Sequence, residues 1–221
     1  MRPCATGLEP ELRPNELKFL IDTLKEKHFT GKYLEIGTAA GGTLCQMMTI
    51  FKDIERPQFV VVDPMKYFPN QFEIVKENLK NHVIHPDTID FRIKTSFEAF
   101  FEAQENGEQF DFIFIDGAHK IRYVMQDLRW TRLLNEGGIL MMHDYSSKYR
   151  GVLLAANHFL RRYRNYQVIG HVHTLLAIRK TGRSPIKEVN LLDRFWAWLL
   201  SPVLQVERSV TKRLKKWELK S

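Results

Sequence analysis

Between Tyr33 and Met142, five short apolar runs alternate with longer stretches that carry apolar residues at helical spacing. The runs are Tyr33-Leu34-Glu35-Ile36, Phe59-Val60-Val61-Val62, Phe91-Arg92-Ile93, Phe112-Ile113-Phe114-Ile115 and Ile139-Leu140-Met141-Met142, and two more near Val168 and Leu175 close the series. Runs this short and this rich in β-branched and aromatic residues read as strands, and near-continuous apolarity means that both faces of each strand are covered. The intervening stretches 43–51, 71–81, 96–103, 120–135 and 152–164 read as helices; the fourth sets Ile121, Val124, Met125 and Leu128 on one face. This pattern predicts an α/β fold, doubly wound, with a mostly parallel seven-stranded sheet between helices. Such sheets bind ligands at the carboxyl ends of their strands, where strand order reverses.

An amphipathic helix precedes the series, with Leu17, Leu20, Ile21 and Leu24 following Asn15, a residue suited to the N-cap, and an end expected near His28. A Gly/Ser/Pro-containing linker, Lys180 to Pro185, follows it. The chain therefore divides into an N-terminal helix and cap (1–30), a ligand-binding domain (31–180) and a linker with a helical tail (181–221). In the tail, Leu191 to Leu200 is dense in Leu, Phe and Trp, Pro202 is expected to break the helix, and Val206, Val210, Leu214 and Trp217 form a stripe among Arg208, Lys212, Arg213, Lys215 and Lys216. The dense run is too short and too charged for a span of ~20 residues. A basic amphipathic helix suits an anionic membrane surface, which would place the protein at the inner membrane face. Packing on its own domain or in a homo-oligomer suits the same stripe.

Charge bears on the partner. Of the 33 basic and 26 acidic residues, nine and four lie beyond Lys180, so the body is almost neutral and the net +7 belongs mainly to the tail. That argues against a nucleic-acid substrate meeting the body. Cys4 and Cys45 read as unpaired thiols, and the first residues lack the apolar core of a secretory signal; both point to a reducing, cytoplasmic setting.

The segment with most chemical content is Glu35-Ile36-Gly37-Thr38-Ala39-Ala40-Gly41-Gly42-Thr43: a strand ending in an acid, a loop of small residues, then a helix start. Its glycines permit a sharp turn and a close backbone approach to a ligand, and a strand-end carboxylate suits an ammonium group. A second strand ends at Asp63, placed to accept from two ribose hydroxyls. The G-x-G-x-x-G spacing of a pyrophosphate-binding loop is missing.

At these residues the sequence resembles the class I S-adenosylmethionine-dependent methyltransferases, whose fold is Rossmann-like. Phe110 to His119, ending Asp116-Gly117-Ala118-His119, looks like their fourth strand, and Leu134 to Tyr145, ending His143-Asp144-Tyr145, like their fifth with its preceding turn. The D-G-x-H and H-D-Y pair most resembles a subgroup related to small-molecule and sugar O-methyltransferases. Coverage runs from about Gly31 to Ile178.

The resemblance implies that Glu35 and the loop Gly37, Thr38, Ala39, Gly41, Gly42 and Thr43 hold the methionine part of S-adenosylmethionine and Asp63 its ribose. Met65, Ser96 and Phe97 would lie by the adenine, although Met65 also suits the core and Ser96 a helix cap. Alcohols are weak nucleophiles near neutral pH, so a base or a divalent cation must assist. His119 is the expected base, with Asp116 and Asp144 beside it; Asp116, His143 and Asp144 are the expected ligands for Mg²⁺ or Mn²⁺, or Asp116 and Asp144 act as hydrogen-bond acceptors alone. His171 and His173 read as structural or surface residues, and His158 has no evident partner. The expected function is O-methylation of a hydroxyl on a sugar, lipid-linked glycan or other small molecule. A nucleic-acid methyltransferase and a non-catalytic cofactor-binding scaffold acting through the tail are the alternatives.

Overall fold

The computed structural model describes residues 11–26, 29, 31–51 and 56–218, the last stretch without the side chains of 208 and 210–218. In chain order the elements are α1 (Pro14–Glu26), β1 (Lys32–Ile36), α2 (Gly42–Thr49), β2 (Phe59–Val62), α3 (Gln71–Asn81), β3 (Ile89–Arg92), α4 (Ser96–Glu105), β4 (Phe110–Ile115), α5 (Ile121–Asp127), β5 (Leu134–Met142), α6 (Arg150–Arg162), β6 (Tyr166–Val172), β7 (Leu175–Lys180) and α7 (Leu191–Glu218). They build a seven-stranded sheet ordered β3-β2-β1-β4-β5-β7-β6. The strands from β3 to β5 pair parallel, and β7 runs antiparallel to both β5 and β6. Order reverses between β1 and β4, so the crevice lies where those strands end.

Alternation along each strand divides the core in two. Tyr33, Phe59, Val61, Phe112, Phe114 and Met141 face α1, α2 and α3. Leu34, Val60, Ile113, Leu140 and Met142 face α4, α5, α6 and the inner side of α7. Each such buried side chain contributes about 1.5–3 kcal/mol over an exposed one.

Three local expectations change. Residues 120–135 are not one helix: α5 ends at Asp127, a 3-10 turn spans Leu128–Leu133, and β5 starts at Leu134, opposite Phe110. The buried Lys180 ammonium donates to the carbonyls of Thr131 and Leu134, both at 2.8 Å, and so takes over acceptors that a continuing helix would have used. Pro202 does not break the tail helix, which runs through it as α7. The residues before it are pinned to the domain by Trp196, Ala197 and Leu200, so packing outweighs the one lost backbone bond. Pro14, not Asn15, opens α1; the fixed φ of proline suits a first helical position, and Asn15 Oδ1 accepts the Glu16 N–H. The expected helix end near His28 lies outside the described residues.

The inner face of α7 packs on α5 and α6, while Leu192, Phe195, Leu199, Val203 and Val206 stand exposed on its outer side. The stripe's side chains at Val210, Leu214 and Trp217 lie outside the described residues, as does Cys4; Cys45 is buried and unpaired. Among the described residues, no helix is long and apolar enough to cross a membrane.

Candidate active site

A cavity of ≈ 760 Å³ opens at the carboxyl ends of β1, β2 and β4. That volume lies within the range of small-molecule sites, about 300–1,000 Å³. Gly37 and Ala39 from the loop after β1, Asp63 from the end of β2, Ser96 and Phe97 from the start of α4, and Asp116 and His119 after β4 line it, as expected from the sequence.

Gly37 sits at φ +84°, and a Cβ there would meet the Asp116 carbonyl oxygen at 2.4 Å, so the two strand ends approach only because this residue has no side chain. Asp63 is fixed by its neighbours: Oδ2 accepts the Thr38 N–H at 3.0 Å and Oδ1 the Met65 N–H at 2.6 Å. Asp63 itself lines the cavity.

Several of the expected cofactor residues lie off the cavity wall. Glu35 does not reach the cavity wall but lies fully buried behind the loop, with Oε2 lacking a partner. Burial, opposed by the Thr38 hydroxyl and reinforced by Asp116 and Asp63, pushes its carboxyl up to about 8. Gly41, Gly42 and Thr43 do not line the cavity either: Gly41 is the N-cap of α2 at φ +84°, and the other two are buried in its first turn. Thr38 is buried and contributes its backbone N–H. Met65 packs against the core beside β2, leaving Pro64, Lys66 and Tyr67 on the wall. The cap of α4 is Thr95, in a reciprocal capping box with Glu98, while Ser96 Oγ accepts from the Trp130 indole at 2.9 Å.

The ends of β4 and β5 bring four titratable groups together. His119 Nε2 lies 2.8 Å from Asp144 Oδ2, and its ring packs 4.4 Å from that of Tyr149. His143 Nδ1 lies 3.0 Å from Asp116 Oδ1, and its Nε2 lies 3.8 Å from Glu16 Oε2 on α1. Burial works to lower the His143 pKa, but the bond to Asp116, with Asp144 and Glu16 nearby, outweighs it and raises it to about 9. Asp144 holds φ +60°, so two consecutive side chains serve the same corner by turning to different partners. The turn at His119 is held from outside by Gly151 of α6, where a Cβ would meet the His119 carbonyl oxygen at 2.2 Å. One potential ligand atom each from Asp116, His143 and Asp144 lies within 4.8 Å of the others, and all three residues are partly buried.

Two lining residues escape the sequence reading. Asp127, at the end of α5, is buried in the cavity wall; burial, opposed by the Ser96 hydroxyl, pushes its carboxyl up to about 7. Glu11, before α1, also lines the cavity, and burial, Asp116 and Asp144 raise its pKa against the pull of His143 and His119. Neither position carries a local motif. His158, for which the sequence suggested no partner, pairs with the buried Asp193 of α7 at 2.7 Å and stacks on Trp196. His173 sits 3.3 Å from Glu16, and His171 packs edge-on to Tyr145.

No curated protein matches the sequence. Among solved structures, the fold resembles a Staphylococcus aureus protein described as a caffeoyl-CoA O-methyltransferase, at TM-score 0.62 and 19% identity over 79% of this chain and 86% of that one. It also resembles an O-methyltransferase from Bacillus cereus in complex with SAH, at TM-score 0.60 and 17% identity over 77% and 83%. CalS11, a TDP-rhamnose 3'-O-methyltransferase of calicheamicin biosynthesis, matches at TM-score 0.60 and 15% identity over 76% and 81%. These likenesses concern the fold. A family model for a methyltransferase domain matches residues 34–145, half of the chain, from the middle of β1 to the residue after Asp144. The chain belongs to this methyltransferase-domain family and is a class I S-adenosylmethionine-dependent methyltransferase.

Proposed function

We propose that the enzyme transfers the methyl group of S-adenosylmethionine to a hydroxyl of a sugar or other small molecule, with His119 as the base. The observation that carries this reading is the 2.8 Å contact between His119, on the cavity wall, and Asp144. Asp144 orients the ring through Nε2 and leaves Nδ1 to take the acceptor proton. As the acceptor oxygen bonds to the methyl carbon, the carbon–sulfur bond breaks, its electron pair stays on sulfur, and S-adenosylhomocysteine leaves. Alignment supplies much of the rate, because an in-line displacement needs three atoms held together. Asp63 would take the ribose hydroxyls, Gly37 to Ala39 the methionine end, and Ser96, Phe97 and Asp127 the adenine; the unpartnered Glu35 carboxyl behind the loop suits a nearby ammonium. In this reading residues 31–180 are the catalytic domain, 1–30 a cap that brings Glu11 and Glu16 to it, and 181–221 a linker and tail. A sugar acceptor is supported by the likeness to CalS11.

The test is methyl transfer from labelled S-adenosylmethionine to a panel of sugar nucleotides and hydroxylated aromatics. His119→Ala should lower turnover by ~10²-fold or more at nearly unchanged cofactor affinity. Full turnover in that variant would remove the base assignment.

The compact cluster of Asp116, His143 and Asp144 supports a second reading, in which these side chains hold a divalent cation that polarises the acceptor oxygen. Two carboxylates and an imidazole fit Mn²⁺ better than Mg²⁺.

The outer face of α7 is assigned here to an anionic membrane surface, supported by its exposed Leu192, Leu199, Val203 and Val206 and by the basic residues that follow in sequence. Sedimentation with phosphatidylglycerol vesicles should be salt-sensitive and lost in Leu199→Glu/Val203→Glu. A dimer that ignores lipid would reject this assignment.

A further inference from the structure

A second cavity of ≈ 410 Å³ adjoins the first, and the two share Tyr123 and Gln126 of α5. Its other walls are Arg122 and, from α7, Leu191, Arg194, Phe195 and Trp198. No acid lines it. The Phe195 and Trp198 rings are nearly parallel, 19° apart at 5.9 Å between centroids, and both are mostly exposed. Arg122 lies over the Tyr123 ring and donates to its hydroxyl, and Arg194 points its guanidinium toward Phe97 on the rim of the first cavity. Among the described residues, neither arginine has a carboxylate partner.

Behind them Arg129 is nine-tenths buried, its guanidinium 4.5 Å from the ring centres of both Phe100 and Phe101, with Nε and Nη1 lacking any acceptor. Burial, with Arg132 and Arg194 adding to it, pulls its pKa down to about 10. A buried guanidinium without an acceptor behind Arg194 adds to the positive potential of the cavity and favours an anion there.

We propose that this second cavity binds the anionic end of the methyl acceptor, a phosphate-type group carried on a ring that stacks on Phe195 and Trp198. The guanidinium fork matches phosphate oxygens, and the ring pair offers a flat apolar platform. S-adenosylmethionine carries no phosphate, so the cofactor does not account for the site. The platform and Arg194 lie beyond the family match at 34–145. An acceptor laid across Tyr123 would have its anion in the second cavity and its hydroxyl in the first. The role as an acceptor subsite rests on the methyl-transfer reading above; the anion site does not.

The test titrates inorganic pyrophosphate and uridine diphosphate into the full chain loaded with S-adenosylhomocysteine, by calorimetry. Both should bind, uridine diphosphate more tightly. Arg122→Gln/Arg194→Gln should weaken both at least about tenfold. Trp198→Ala should weaken uridine diphosphate by about fivefold or more and pyrophosphate by less than about twofold. All variants should keep S-adenosylhomocysteine affinity within about twofold, since none of these residues lines the cofactor cavity. No binding of either probe at millimolar concentration, or equal binding by the double arginine variant, overturns the proposal and leaves methyl transfer standing. Probe binding by a chain that fails to bind S-adenosylhomocysteine removes the methyl-transfer reading and keeps the anion site. Displacement of uridine diphosphate by phosphatidylglycerol vesicles would assign the group to a lipid headgroup, and its persistence to a soluble phosphate ester.

Discussion

The Asp63 carboxylate accepts the Thr38 backbone N–H at 3.0 Å, which ties the end of β2 to the loop leaving β1. One side chain thus shapes the loop and faces the cavity. Asp63→Ala should weaken S-adenosylhomocysteine binding by about 1.5–3 kcal/mol, the range for hydrogen bonds to a charged group. Calorimetry reads this directly, and wild-type affinity in the variant would refute the role.

Stability of the ligand-free enzyme should fall as pH rises from about 4.5 to 9. Glu35, raised from 4.5 to about 8, and Asp127, raised from 3.8 to about 7, bind protons more tightly folded than unfolded, so folding is penalised as the solution withdraws them. His143, raised from 6.5 to about 9, acts in the same direction: its contribution is complete below 6.5 and lost through 9. Each group adds at most roughly 1.4 kcal/mol per pH unit within its window. Urea midpoints across this range test it, and Glu35→Gln should flatten the slope up to about 8. A flat wild-type profile would contradict the burial assigned to these groups.

Exhaustive chelation should lower turnover, and Mn²⁺ should restore it better than Mg²⁺. Elemental analysis alongside the assay decides the matter. Full activity with no metal present would remove the cation and leave His119 and Asp144 as the working pair.

Asp193 latches α7 to the body. Fully buried, it meets His158 at 2.7 Å, Arg162 at 3.0 Å, the Tyr163 hydroxyl at 2.5 Å and the Asn190 N–H at 2.9 Å. Asp193→Ala strips these partners of their acceptor and should cost about 3–5 kcal/mol in urea unfolding. A loss under about 1 kcal/mol would show that the apolar contacts of α7 hold it unaided.

The strands and most helices were legible because burial on both faces writes itself into consecutive residues, as in Phe59 to Val62. Asp63 and Asp116, which follow β2 and β4 directly, were legible for the same reason: a strand's end fixes where the next side chain stands, and His119 follows in the turn before α5. What escaped depends on distant partners. Lys180 takes the carbonyls where the 3-10 turn 128–133 gives way to β5 from nearly 50 residues away, and Asp193 reaches His158 across 35. Glu35 and Met65 sit at readable places, but one residue's rotation about a strand end decides whether a side chain meets the cavity or the core.

The left-handed backbone at Asp144 limits which substitutions can be interpreted. At φ +60° asparagine is tolerated nearly as well as aspartate, whereas β-branched residues are not. Asp144→Asn therefore removes the charge while keeping the peptide path that lets His143 and Asp144 face different partners. A valine or threonine there would shift both side chains at once, and its lost turnover would report geometry instead of electrostatics.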